Sequence, residues 1–154
     1  MWSIVRVVLV LLVMAGLTLG ATAAPKAQKM TVTMSDYRFT PSKVNLTAGT
    51  PAALTLVNKG KVEHEFMVYL APKTPPEDWD EYVMSNTFFK DMGEVEVEFE
   101  GQGAVAGVSI FEVEVKPGKR AVVHFTPSRK GTFEIGCHVE GHYEAGMRGT
   151  LTVK

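Results

Sequence analysis

The sequence predicts an all-β sandwich or barrel assembled from short strands. Two observations predict it. From residue 29 onward at least eight runs carry strand-like patterning, most of them alternating apolar and polar side chains. They are separated by turn signals such as Thr47-Ala48-Gly49-Thr50-Pro51, Asn58-Lys59-Gly60 and Lys116-Pro117-Gly118-Lys119. Helical periodicity, in contrast, is almost absent. A chain of 154 residues holds one domain with a sizeable core and not two.

Residues 1–24 stand apart from that rhythm. A weakly basic head ending at Arg6 is followed by the uncharged apolar run 7–19 and by Ala21-Thr22-Ala23, a small-residue cleavage pattern. The run is shorter than the ~20 residues a bilayer span needs. A cleaved secretory signal is the expected reading, and an uncleaved anchor is its alternative. Residues 25–154 then form a single domain, exported to the periplasm or another extracytoplasmic space.

The strands follow in order. Residues 29–34 and 43–46 alternate, and 53–57 comes next, closed by Asn58-Lys59-Gly60. Residues 62–70 and 110–115 are further period-2 runs, and 121–125, 132–137 and 149–153 complete the series. Between them lies an insert, 71–107, opened by Pro72, Pro75 and Pro76. Acids just after prolines suit a helix N-terminus, which predicts a short helix over 78–84. Residues 94–100 alternate Glu with Val95, Val97 and Phe99, as an edge strand or hairpin arm whose glutamates discourage pairing with other chains. Residues 101–107 read as a flexible tip.

The formal charge is −1, which gives no nucleic-acid footprint. There is one cysteine, so no disulfide can form within the chain. Cys137 is followed by His142 and then by Met147, with four residues in each gap. Thiolate, imidazole and thioether are donors that copper prefers, and one further histidine completes a His₂Cys site with a weak axial Met. Strand parity selects that histidine. In 62–70, His64 shares a face with Val62, Phe66, Val68 and Leu70, while Glu63, Glu65, Met67 and Tyr69 face outward. In 132–137, Cys137 faces inward with Phe133 and Ile135, and Thr132, Glu134 and Gly136 face out. The expected metal ligands are therefore His64, Cys137, His142 and Met147, with Met67 and Met92 as poorer rivals for the axial place. Gly141, Gly146 and Gly149 let the loop fold tightly enough to return His142 and Met147 to the thiolate. His138 and His124 are expected to be exposed.

From Asp36-Tyr37-Arg38-Phe39-Thr40-Pro41, through Val62-Glu63-His64-Glu65-Phe66, to the Cys137–Met147 loop and Gly149-Thr150-Leu151-Thr152-Val153, the chain resembles the cupredoxins. These are small blue copper proteins that include plastocyanin, azurin, amicyanin, rusticyanin and auracyanin, and the ligand-loop spacing is most like the last two. The resemblance implies a Greek-key β-sandwich holding one type 1 copper that cycles between Cu(I) and Cu(II). His142 would then be the solvent-edge ligand. Glu65 stands where many relatives have an asparagine whose side chain ties the ligand loops together. Its backbone N–H remains able to donate to the cysteine sulfur, and Glu65 and Gly136 are the neighbours expected to tune the site.

No catalytic chemistry is expected, because His124 and His138 are too few for a second copper centre. The expected function is a single-electron shuttle, a monomer that docks redox proteins transiently around Gly141, Tyr143, Ala145 and Gly146. A copper chaperone or resistance protein that sequesters or delivers the metal is the alternative, and zinc at the same ligands is a third. Membrane association would arise only from a retained N-terminal segment.

Overall fold

The computed structural model describes residues 25–107 and 110–154; the leader expected at residues 1–24 lies outside them. Among the described residues eleven strands form two facing sheets. They are β1 (Gln28–Ser35), β2 (Arg38–Thr40), β3 (Lys43–Leu46), β4 (Ala52–Asn58), β5 (His64–Tyr69), β6 (Val95–Phe99), β7 (Gly103–Gly107), β8 (Glu112–Val115), β9 (Arg120–Phe125), β10 (Gly131–Gly136) and β11 (Arg148–Val153). A single helix among the described residues, α1 (Trp79–Asn86), lies between β5 and β6. One sheet runs β2-β1-β4-β9-β6-β7 and the other β3-β11-β10-β5-β8. The chain crosses repeatedly between them: β3, β5 and β8 belong to one sheet, and β4, β6 and β9 to the other.

Alternation explains the core. β4 buries Ala52, Leu54 and Leu56 on one face, β9 buries Ala121, Val123 and Phe125, and β10 buries Phe133 and Ile135. These side chains meet between the sheets with Phe66, Val68, Leu151 and Val153. Burying one such side chain contributes about 1.5–3 kcal/mol, so this layer is the main source of stability.

The insert is part of the fold rather than an appendage. Phe88 and Phe89, just after α1, reach the core and pack on Phe125, and Phe88 also packs on Phe133. β6 pairs with β9 on one side and β7 on the other, burying Val95 and Val97. Residues 94–100 are therefore an interior strand and not an edge, and the expected tip at 101–107 supplies the edge strand β7. Glycines bracketing Ala104-Val105-Ala106 carry no strand signal of their own; pairing to β6 provides it.

Helix α1 is capped by Asp78, whose carboxylate accepts from the Glu81 N–H at 3.0 Å. Its buried residue, Val83, covers Met67 and Tyr69 of β5, both 0% exposed. The outward parity of Met67 and Tyr69 was right, but that face is not solvated. Val62 and Leu70, expected inside, lie beyond the strand ends and are 46% and 42% exposed.

Candidate metal centre

His64 opens β5, Cys137 follows β10, and Met147 precedes β11. Because β10 pairs with both β5 and β11, these three positions are drawn to one end of the sandwich. The loop 137–147 closes on itself through main-chain bonds. Met147 N–H donates to the His142 carbonyl at 2.9 Å, and Cys137 N–H to the Met147 carbonyl at 3.3 Å. Gly141 and Gly146 turn it with φ of +78° and +99°, values that favour glycine.

The side chains converge as parity required. His64 Nδ1 lies 3.3 Å from His142 Nδ1, and Cys137 Sγ lies 3.4 Å from the same nitrogen. One ligand atom from each of His64, Cys137 and His142 falls within 4.8 Å of the others. His64, Cys137 and Met147 are fully buried, and Met147 belongs to the same core cluster as Cys137. Met67 lies across the sheet under α1, and Met92 reaches the core from within the insert. Two imidazoles and a thiol closing on one point, with a buried thioether beside them, fit copper among the common metals.

Burial pushes the Cys137 thiol above its ordinary range, partly offset by backbone N–H groups of Glu65 and Val139. It pushes His64 down, with the nearby His142 adding to the effect and Asp36 opposing it. Both shifts favour the neutral forms, so a metal binding here displaces a proton from sulfur and finds the His64 ring ready to donate.

Glu65 does more than expected. Its N–H points at Cys137 Sγ at 3.4 Å, and its carboxylate accepts from the His138 N–H at 3.0 Å. The longer acid thus ties β5 to the ligand loop, at the position where the resemblance places an asparagine tie. Gly136 faces the other way. A Cβ there would sit 2.5 Å from Tyr69 Oη and 2.9 Å from His138 Nε2, so only glycine fits beneath those rings.

His138 is not exposed. It points away from the cysteine side, as parity demands, but α1 covers it. Its ring stacks on Trp79 at 4.1 Å and on Tyr143 at 4.7 Å, and its Nε2 is 2.9 Å from Tyr69 Oη. Burial lowers its pKa to about 4 against the pull of Glu134, Glu144 and Asp80. Tyr69 and Tyr143 both donate to Glu134, and Arg148 lies over the Tyr143 ring. His124, in contrast, is on the outer face of β9, 3.6 Å from Glu98 and 40% exposed.

At the site's rim His142 is 7% exposed. Tyr37, held at φ +64° in the β1–β2 turn, packs edge-on against it at 5.2 Å. Gly141, Ala145 and Gly146 are exposed around this rim, while Tyr143 is drawn partly inward by its stack. Nothing local in the sequence marked Asp36, Tyr37 or Trp79 for these places.

The family described as Cupredoxin-like domain matches residues 7–73, a stretch that includes His64 and ends before the cysteine loop. The chain has a cupredoxin-like fold. Among curated relatives, the copper-resistant cuproprotein CopI of Pseudomonas aeruginosa is 28% identical over 145 residues, spanning 87% of this chain and 80% of that protein. CopI of Rubrivivax gelatinosus is 29% identical over 133 residues, spanning 85% and 70%. Among solved structures, a reduced auracyanin from Roseiflexus castenholzii superposes with a TM-score of 0.55 at 16% identity, covering 83% of this chain and 98% of that one. This last likeness shows that the sandwich is the cupredoxin fold, independently of sequence.

Proposed function

We propose that this cupredoxin-like chain is an extracytoplasmic carrier of single electrons, with one copper ion held by His64, Cys137, His142 and Met147. The convergence of His64 Nδ1, His142 Nδ1 and Cys137 Sγ in a buried pocket carries this reading. Copper held there supplies a Cu(I)/Cu(II) couple that takes up and releases one electron. The protein's part is to keep the donors still and dry. Main-chain bonds fix the 137–147 loop, the Glu65 N–H points at the thiolate, and the surrounding core excludes water.

The rim carries the exposed small residues Gly141, Ala145 and Gly146 beside the half-buried Tyr143, which suits brief docking of a redox protein at His142 by a monomer. Transient contacts of this kind bury less than ~1,200 Å². A carrier rather than an enzyme is also the reading that fits the other histidines. His138 is committed to Tyr69 and the stack, and His124 sits beside Glu98. Among the described residues no helix is long and apolar enough to cross a membrane, so anchoring would fall to the leader.

Cys137→Ser should abolish the intense visible absorption of the copper-loaded protein; retained colour would overturn the assignment. A second reading has its own support. The similarity to two proteins described as copper-resistant cuproproteins favours sequestration or delivery of copper. Repeated oxidation and reduction of the loaded protein separates the two, since a carrier keeps its metal through the cycles and a delivery protein releases it.

A further inference from the structure

We infer that Asp36 is the positioning residue of the His64 ligand: its carboxylate holds the proton on Nε2 and thereby turns the Nδ1 lone pair to the metal. The inference rests on the copper reading above and deepens it. His64 Nε2 is buried and has no hydrogen-bond partner, which makes it an unusual polar atom in a folded interior. The atom facing it is Asp36 Oδ1, at 3.7 Å. That separation is beyond a hydrogen bond, so the contact is a charge acting on the N–H dipole of the ring.

The surroundings are shaped to allow the approach. Asp36 Oδ1 is itself fixed by the Lys61 N–H at 3.0 Å. The turn carrying Lys61 is braced by the buried Asn58, which accepts from Gly60 N–H and donates to the carbonyls of Val62 and Val115. Gly60 lies directly beside the pair. A Cβ on it would come 2.4 Å from His64 Nε2 and 2.6 Å from Asp36 Oδ1, so any side chain there would wedge the two apart.

The chemical need is specific. The two Nδ1 atoms face each other at 3.3 Å beside the thiol, and His64 can serve as a ligand through Nδ1 only when its proton is on Nε2. A carboxylate behind a ligating imidazole fixes that tautomer, raises the ring's basicity, and favours the more highly charged metal state. Asp36 is 43% exposed, so its charge is softened by water but not abolished.

Two readouts test this. In the metal-free protein, imidazole ¹⁵N shifts should show His64 as the Nε2–H tautomer, and Asp36→Ala should shift it to a mixture. Asp36→Asn, which keeps an acceptor for Lys61 and removes the charge, controls for loop collapse and should shift the tautomer as Asp36→Ala does. In competition titrations Asp36→Ala should lose about ten- to hundredfold in Cu(II) affinity, with a smaller loss for Cu(I). Gly60→Ala should reproduce the tautomer change. An unchanged tautomer in Asp36→Ala, or equal losses for both copper states, overturns the inference. Failure of the wild-type protein to form the thiolate–copper band would instead overturn the function, and the tautomer would still decide the role of Asp36.

Discussion

His138 and His142 lie four residues apart in one loop, yet the fold gives them opposite fates. His142 reaches the rim between the sheets, facing a thiol and a second imidazole, with only Tyr37 beside its outer edge. His138 lies on the other side of the same strand end, closed in by Trp79, Tyr143 and Tyr69. One ring is placed to donate to a metal. The other is packed as an aromatic with a single polar partner. The difference teaches that the β5–β10 layer has two working faces, and that α1 makes the second by covering what would otherwise be solvent.

The largest effect that would break this comparison comes from Gly136. Gly136→Ala pushes a methyl group into Tyr69 and His138, and overpacking of this kind costs about 2–3 kcal/mol. Urea unfolding should show that loss; wild-type stability would mean that the stack is loose. Glu65 comes next, because its charge-assisted bond holds the two loops in register across the faces. Glu65→Ala should cost roughly 2 kcal/mol, and Glu65→Gln, which keeps an acceptor, about half of that or less. Equal losses in the two variants would assign the effect to packing alone.

The smallest effect is a pH dependence. Folding lowers His138 from 6.5 to about 4, so between those values the unfolded chain binds a proton that the folded chain refuses. Stability contributed by the neutral ring is complete above pH 6.5 and is lost as the pH falls toward 4. With partial exposure discounted, the loss is on the order of 1–2 kcal/mol. His138→Phe should flatten that part of the stability profile in the metal-free protein while leaving copper loading and colour intact. A profile identical to the wild type would show that the ring is more solvated than its stack implies.

The inner face was legible in the sequence and the outer face was not, for a physical reason. Period-2 alternation reports which side of a sheet a residue faces, and it paired His64 with Cys137 correctly across 73 positions of chain. It does not report what covers the other side. Met67, Tyr69, Gly136 and His138 were rightly placed outward, yet all four are buried or half-buried because the insert folds back over them. The helix itself was visible, since prolines and a capping acid mark its start. Where it docks depends on contacts between Val83, Trp79 and β5 that no local pattern encodes. The Glu65 carboxylate and Asp36 escaped for a related reason, although the Glu65 N–H was expected at the sulfur: each acts through the reach of a side chain from one loop to another.

Trp79 has a consequence for experiment. It is one of two tryptophans in the chain, and the other, Trp2, falls in the segment expected to be a leader. If residues 1–24 are removed, all indole fluorescence comes from a ring stacked on the residue beside the cysteine thiol. Light emitted at that single position reports two things at once: whether the helix is seated, through the colour of the emission, and whether a quenching metal lies on the far side of the strand, through its brightness. The fold carries its own optical gauge, with no label to attach.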